Sequence, residues 1–275
     1  MKCALLIICL LCIVPGAFIQ AQEKKELSYY AFDSAWNPTT NVAEAAYLMQ
    51  LTRESDTAFI CRYYTANNAM LRQEAYADAA LSIPNGRFCW YDANGNLDST
   101  GIFEQGKKDL NWYYYNDSLK TTISFYYNMG QLQETRDYVH NIFTDSIGNQ
   151  TNLKEKDSIA RLQYKADSAS GKLLQKEAMY KGDISNWTKY ISKNMETPKR
   201  LMNLKEDGLY GINVTFTIDK KGHTTDIYLM HSCELSADNE VCRVIAESPV
   251  WQPATKNGAT VFFRQRQWLY FQVSK

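Results

Sequence analysis

The residues best suited to acid–base or metal chemistry are three histidines, His140, His223 and His231. His231 and Cys233 stand two positions apart, a spacing suited to a thiol–imidazole pair or to two metal ligands. Spacing fixes no third ligand. The chain also contains no phosphate-binding Gly-Lys-Ser/Thr loop, Gly-x-Ser-x-Gly elbow or His-Glu-x-x-His helix. We therefore expect no catalytic residue, no metal site and no cofactor, and a chain that is not an enzyme.

The first 21 residues have the features of a secretory signal peptide. Lys2 precedes an apolar run over residues 4–14, and Pro15 and Gly16 follow it. The run is shorter than the roughly 20 residues that a membrane-spanning helix needs, and no longer apolar stretch follows. We predict cleavage after Ala21 and no integral membrane span in the mature protein; an uncleaved anchor is the alternative.

Cleavage would leave four cysteines, Cys61, Cys89, Cys233 and Cys242. An even number in an exported chain permits two disulfides, and four buried thiols are the alternative. We favour a Cys233–Cys242 bond, because it would tie the end of a predicted strand to the next helix.

Composition separates the function classes further. The 30 basic and 30 acidic residues cancel, so nucleic-acid binding through bulk positive charge is disfavoured. The chain has 19 Tyr, 11 Phe and 6 Trp against 6 Pro, and this aromatic content favours β-strands.

Internal repeats occupy the first half of the chain. Segments 90–97 and 112–119 align when Trp90 is placed on Trp112, an offset of 22 residues. Each segment ends a strand with aromatic residues and turns through Asn-Gly or Asn-Asp, which tolerate positive φ. A period near 20 residues is typical of stacked β-hairpins.

These segments resemble MORN-like (YwqK-type) repeats over about residues 59–138. The matching residues are Gly86, Phe88, Trp90, Tyr91, Asn94, Gly95, Gly101, Phe103, Gly106, Lys107, Lys108 and Trp112. The resemblance implies an antiparallel sheet of β-hairpin repeats, which we assign to residues 22–143. We interpret the aromatic rings as structural, each hairpin burying its rings against the next; a glycan-stacking surface is the alternative.

Residues 144–182 are rich in Asp, Ser, Lys and Asn. We predict a linker and a last hairpin there, because the segment 180–182 copies the repeat ending. Helices are the alternative, since the Ala, Lys, Leu, Gln and Glu content is favourable.

From residue 183 the pattern changes to helix–helix–strand–strand–helix–strand. Trp187, Tyr190 and Ile191 have helical spacing, and a second short helix begins at Pro198. An alternating strand ends at Ile218, a return strand follows a Gly222 turn, and a helix with Ser236 as N-cap precedes the last strand.

This order resembles the TonB C-terminal domain over about residues 186–273. The signature positions present are Pro198, Gly211, Gly222, Pro249, Trp251 and Pro253. The implied fold class is α+β: the β-hairpin repeat sheet followed by a small TonB-like domain (ααββαβ), assigned to residues 183–275. The resemblance also implies a Gram-negative periplasm.

In that family the partner is a short TonB-box segment of an outer-membrane receptor, paired along the last strand. A sheet edge has unpaired N–H and C=O groups, to which an extended peptide adds as another strand. The predicted peptide-binding edge comprises Thr260, Val261, Phe262, Phe263, Arg264, Gln265 and Arg266. Which face of this strand is buried stays open, and charged edge residues that merely prevent aggregation are the alternative.

The sequence thus indicates an exported, non-enzymatic adaptor or binding protein that pairs with extended peptide segments of envelope proteins, with an expected link to transport. A structural or glycan-binding module of the envelope that uses the aromatic repeats is the second hypothesis.

Mass spectrometry of the mature protein tests the signal peptide. We expect Gln22 or a near neighbour as the first residue. Recovery of an intact Met1 in the membrane fraction would contradict the predicted cleavage.

Overall fold

The structure, a computed structural model, describes residues 26–66, 68–170, 174–180 and 183–275. The predicted signal peptide, residues 1–21, lies outside these described residues. The strands are β1 (Glu26–Phe32), β2 (Pro38–Thr39), β3 (Tyr47–Ser55), β4 (Ala58–Thr65), β5 (Met70–Tyr76), β6 (Gly86–Tyr91), β7 (Leu97–Glu104), β8 (Lys107–Tyr115), β9 (Thr121–Asn128), β10 (Gln131–Asp137), β11 (Ile142–Asp145), β12 (Gln150–Asn152), β13 (Gln175–Lys176), β14 (Gly208–Ile218), β15 (Thr224–His231), β16 (Ala254–Lys256), β17 (Ala259–Val261) and β18 (Phe263–Val273). The helices are α1 (Leu153–Ala169), α2 (Ile184–Asn194), α3 (Lys199–Leu204) and α4 (Leu235–Ala246), with a short 3-10 helix at Val42–Glu44.

Strands β1–β12 form one antiparallel sheet of 12 strands. From β3 to β12 each strand pairs with the next one in the chain, so the sheet is a meander of hairpins. A small region of mixed helices and strands follows the sheet, and the predicted α+β fold class is thereby confirmed. We call residues 174–180 and 183–275 the C-terminal region.

One loop geometry recurs in the hairpins. An Asp or Asn side-chain oxygen accepts hydrogen bonds of 2.8–3.1 Å from the backbone N–H groups two and four residues later. The fourth residue of each loop has positive φ. The loops begin at Asp33, Asp92, Asn116, Asp145 and Asp219. Because the side chain substitutes for missing backbone partners, it defines the hairpin end locally.

The same kind of bond corrects the repeat length. Two equivalent contacts are Asn85 Oδ1 with Gln105 N at 3.1 Å and Asp109 Oδ1 with Met129 N at 2.8 Å. They are 24 residues apart (from 85 to 109), as are the loops at Asp92 and Asn116. The predicted offset of 22 residues is therefore wrong. Aligning Trp90 with Trp112 superposes residues that occupy different positions in their loops.

The favoured hairpin within residues 144–182 is also wrong for residues 153–169, which form α1. Asn152 caps this helix: its side chain accepts a 3.0 Å bond from Glu155 N. Helix-favouring residues and the cap outweigh the resemblance to a repeat ending. Tyr180 is buried instead in the C-terminal region, with its ring 5.3 Å from that of Trp251.

The C-terminal region contains two three-stranded sheets, ordered β15-β14-β18 and β13-β16-β17. Trp187 on α2 and Trp251 pack their rings 4.8 Å apart and close over Phe216 of β14. The N-cap of α4 is Glu234 rather than the predicted Ser236. The buried Glu234 carboxylate accepts a hydrogen bond from Ser236 N at 2.8 Å, so it satisfies a free N–H group at the start of the helix, the role predicted for the Ser236 hydroxyl. The same carboxylate forms an ion pair with Arg200.

A buried polar cluster joins the large sheet to the C-terminal region. Ser232 Oγ accepts from Met70 N of β5 at 2.8 Å and donates to the Asp238 carboxylate of α4. Tyr91 Oη of β6 donates to Leu229 O of β15 at 2.9 Å. The residues of this contact are nearly all inaccessible to solvent, so the large sheet and the C-terminal region share one core.

Asp238 lies in this shared core with 1% of its surface exposed. Burial raises the pKa of its carboxyl group to about 7, against hydrogen bonds from Ser232 and Cys233 that lower it. An ordinary aspartate has a pKa near 3.9, so the folded protein binds a proton here that the unfolded chain releases.

This shift predicts a pH dependence of stability. Asp238 contributes most below about pH 4, and that contribution is lost as the pH rises through about 7, by at most roughly 1.4 kcal/mol per pH unit. In urea unfolding, the free-energy difference between the parent and Asp238→Asn should therefore shrink between these values. Parallel pH curves for the two proteins would contradict the raised pKa.

Candidate peptide-binding edge

Strand β18 is an edge strand. It pairs with β14 over its whole length, from Phe263 opposite Ile218 to Val273 opposite Gly208. No strand of the described residues pairs with its other side. Its outward N–H and C=O groups, which belong to every second residue of this eleven-residue strand, therefore form a free ladder.

The predicted edge divides between two sheets. Phe263, Arg264, Gln265 and Arg266 lie on β18, as the proposed site requires. Thr260 and Val261 lie on β17 instead and pair with β16, while Phe262 stands between the two strands. The expectation of one continuous strand is thus wrong.

The turn at residues 257–258 explains the division. Asn257 and Gly258 both have positive φ, the geometry of a two-residue hairpin, which pairs β16 with β17. The apolar run Val261-Phe262-Phe263 interrupts the alternation of polar and apolar residues where β17 ends and β18 begins.

The structure determines which face of β18 is buried. Phe263 is half-buried, and Leu269, Phe271 and Val273 lie in the core on the same face. Arg264, Arg266, Trp268 and Tyr270 are exposed on the other face. Gln267, a polar residue of the inner face, accepts a hydrogen bond of 2.6 Å at its Oε1 from Trp187 Nε1.

The two arginines of the edge lean across their own sheet. Arg266 Nε donates to Asn213 Oδ1 of β14 at 3.1 Å, and Arg264 lies 3.7 Å from the Asp226 carboxylate of β15. Asp226 is shared with Arg87 of the large sheet, at 2.6 Å. These contacts draw both side chains over β14 and β15, so they leave the free ladder uncovered.

An aromatic pair on the exposed face was not foreseen from the sequence. The rings of Trp268 and Tyr270 stack with centroids 6.0 Å apart and an interplanar angle of 17°. They lie over Gly211 of β14, where an added Cβ would be 2.8 Å from the Tyr270 ring. A glycine opposite large aromatic residues across two predicted strands was the available signal.

Gly222 and Trp251, two of the signature residues, are in direct contact. Trp251 N donates to Gly222 O at 2.9 Å, and a Cβ at Gly222, where φ is +91°, would lie 2.1 Å from Trp251 O. Only glycine combines this φ with so close an approach. The three prolines of the signature are at chain bends: Pro198 precedes α3, and Pro249 and Pro253 flank Trp251, whereas Gly211 lies within β14.

The predicted Cys233–Cys242 disulfide is absent. Cys233 precedes α4, whereas Cys242 lies seven residues after the helix start, about 10 Å along the axis at 1.5 Å per residue. A disulfide requires Cα atoms within about 7 Å. Burial raises the pKa of the Cys233 thiol to about 11, so this thiol is protonated at neutral pH.

His231 and Cys233 do not form a metal site or a catalytic pair in the part of the chain that the structure describes. His231 Nδ1 contacts Asn96 Oδ1 at 2.8 Å, and no group of three metal-ligating side chains occurs among the described residues. Burial lowers the pKa of His231, which keeps the ring neutral at physiological pH.

The aromatic rings of the repeats stack mainly on one another. Trp112 is 3% exposed, its ring 5.0 Å from that of Phe103, and a Cβ at Gly101 would be 2.0 Å from it. Trp90 is half-buried against it, at 6.0 Å. This packing takes up the Trp112 ring and part of the Trp90 ring, which a glycan-stacking surface would need to expose.

The Gly211–Tyr270 contact makes a testable prediction. In Gly211→Ala the added methyl group must displace the Tyr270 and Trp268 rings, so we expect Trp fluorescence to change and stability to fall by about 1–3 kcal/mol. The matched control is Gly258→Ala, where no atom lies within 4 Å of the added Cβ, although φ there is positive. An unchanged spectrum in Gly211→Ala would contradict the stacked arrangement.

Within the described residues, no helix is both long and apolar enough to cross a membrane.

Comparison with known proteins identifies no relative by sequence. No protein-family model matches the chain, and no curated protein does. One solved structure that aligns with it is a point mutant of S. aureus TarM in complex with Fondaparinux, alpha-GlcNAc-glycerol and UDP, at 10% sequence identity and a TM-score of 0.19. The alignment covers 43% of this chain and 20% of that one, so this chain spans about a fifth of its length.

One expectation is corrected by this comparison. TarM is a glycosyltransferase, so the expectation that the chain is not an enzyme is withdrawn. A TM-score this low carries no argument on fold or chemistry, and the alignment establishes no activity for this chain.

Proposed function

We propose that the chain is an exported adaptor or binding protein of a Gram-negative periplasm, which takes up an extended peptide along the free edge of β18. The observation that carries this proposal is the eleven-residue β18, paired on one side only among the described residues. Strand addition uses a ladder of this kind and takes its affinity from main-chain hydrogen bonds.

The proposed family is the TonB C-terminal domain, preceded by MORN-like repeats. Support comes from the order α2, α3, β14, β15, α4 and β18, and from the Gly222–Trp251 contact between two signature residues. The β16–β17 hairpin is an addition to that order. The proposed partner is a TonB-box-like segment of an outer-membrane receptor, with a corresponding link to transport.

Side chains along the edge would set the preference for the peptide. Arg264 and Arg266 place positive charge on the exposed face, which favours acidic residues in the added strand. Trp268 and Tyr270 offer apolar contact area on the same face, with 46% and 50% of their surfaces exposed.

A pair of proline variants tests the edge. Successive residues of a strand direct their N–H groups to opposite sides, so one of Arg264 and Gln265 points to β14 and the other to the free edge. Proline at the inward position should unfold the sheet. Proline at the outward position should leave it folded and weaken binding of a TonB-box peptide by about tenfold or more.

Calorimetry with the full chain measures the affinity, and circular dichroism identifies which variant is folded. Arg264→Ala is the control: because it keeps the N–H group, its affinity should stay within about threefold of the parent. The mechanism is wrong if the folded proline variant binds the peptide as tightly as the parent.

A further inference from the structure

A groove lies between the large sheet and the C-terminal region. It is lined by no residue of β18, so it is distinct from the candidate peptide-binding edge. It has a volume of about 1980 Å³ and lies between β3–β5 on one side and α3 and α4 on the other. Pockets for drug-sized ligands usually measure about 300–1000 Å³. The groove is therefore large enough for an extended chain of several residues.

A row of polar side chains crosses the sheet side of this groove. Gln50 of β3 lies directly opposite Arg62 of β4, which lies directly opposite Gln73 of β5. Arg62 Nε donates to Gln73 Oε1 at 2.8 Å. This bond aligns the guanidinium group and leaves its four terminal N–H groups for other acceptors.

Arg62 differs from the other arginines of the groove. Each of those pairs with a carboxylate: Arg87 with Asp226, Arg200 with Glu234 and Arg243 with Glu240. No carboxylate of the described residues lies within 4.0 Å of Arg62, although its side chain is partly buried. Glu54 of the groove wall acts on Arg62 electrostatically from beyond this distance, and a partly buried cation with no counter-ion in contact favours an incoming anion.

Gln50 supplies a second, independent requirement. This residue is 3% exposed at the groove, and its Oε1 has no hydrogen-bond partner in the described part of the chain. A buried acceptor of this kind calls for a donor. Directly paired residues have Cβ atoms about 5 Å apart, so the donor must stand close to the anion on Arg62.

We propose that the groove binds the C-terminus of an extended peptide. The terminal carboxylate pairs with the Arg62 guanidinium, and the last peptide N–H donates to Gln50 Oε1. These two groups are adjacent in any peptide, as the two side chains require. The remaining walls include the aliphatic residues Leu48, Ile60, Met202 and Leu235 beside three aromatic ones, Tyr29, Phe59 and Tyr76, and this apolar area suits the side chains of an extended peptide.

Two hexapeptide libraries of equal composition test the proposal, one with free C-terminal carboxylates and one amidated. The full chain is immobilised, and retained peptides are quantified by mass spectrometry. We expect the carboxylate library to be retained at least about tenfold better than the amidated one, the usual size of a charge-assisted contact. Arg62→Gln should abolish this preference.

Two further variants control for a general effect of positive charge and for loss of the fold. Lys199→Gln removes an exposed, positive side chain of the same groove and should keep the preference. Gln50→Glu places an internal carboxylate opposite Arg62, so it should keep the fold and lose the preference. If Arg62→Gln fails to fold, Gln50→Glu decides.

Three results would overturn the proposal: equal retention of the two libraries, an unchanged preference in a folded Arg62→Gln or Gln50→Glu, or Arg62-dependent binding of a uronic-acid hexasaccharide in place of peptide. A proline in β18 should leave this preference intact, so failure here is distinguishable from failure of the edge.

Discussion

The contact of Asp238 with Ser232, and of Ser232 with the backbone of Met70, holds the two parts of this protein in one arrangement. A buried carboxylate is unfavourable unless donors surround it, and here the donors come from the segment that joins β15 to α4. The hydroxyl of Ser232 in turn needs the β5 backbone as its own donor. The large sheet and the C-terminal region therefore satisfy one another's buried polar groups, and neither keeps this cluster intact without the other.

Both candidate binding surfaces follow from this contact. Docking β15 against the large sheet leaves β14 in the middle of its small sheet and β18 on the far side, open to an added strand. The same docking sets α4 across from β3–β5 at a distance that leaves a groove rather than a packed core. Arg87 of the large sheet forms an ion pair with Asp226 of β15. Asp226 also lies 3.7 Å from Arg264 of β18, so this one carboxylate connects the large sheet with the edge strand.

Much of the fold could be predicted from the sequence, because local patterns carry it. The alternating residues of β14, the return strand β15 and the Asx-type hairpin loops are encoded within a few residues each. The failures are of another kind. Glu234 replaces Ser236 as N-cap because Arg200 pairs with it from another helix. The break at Phe262 follows from the turn at residues 257–258, whose hairpin pairs residues 259–261 with β16 instead of extending β18. That no carboxylate of the described residues contacts Arg62 is likewise a property of its tertiary neighbours, which the sequence pattern does not show.

Amide hydrogen exchange along β18, measured by NMR with and without a TonB-box peptide, tests the central claim most directly. An added strand pairs with every second residue on the open side, while the inward residues already pair with β14. The account predicts that alternate amides between Phe263 and Val273 gain protection on peptide binding and that the amides between them do not change. Peptide binding without this alternating gain would contradict strand addition at β18.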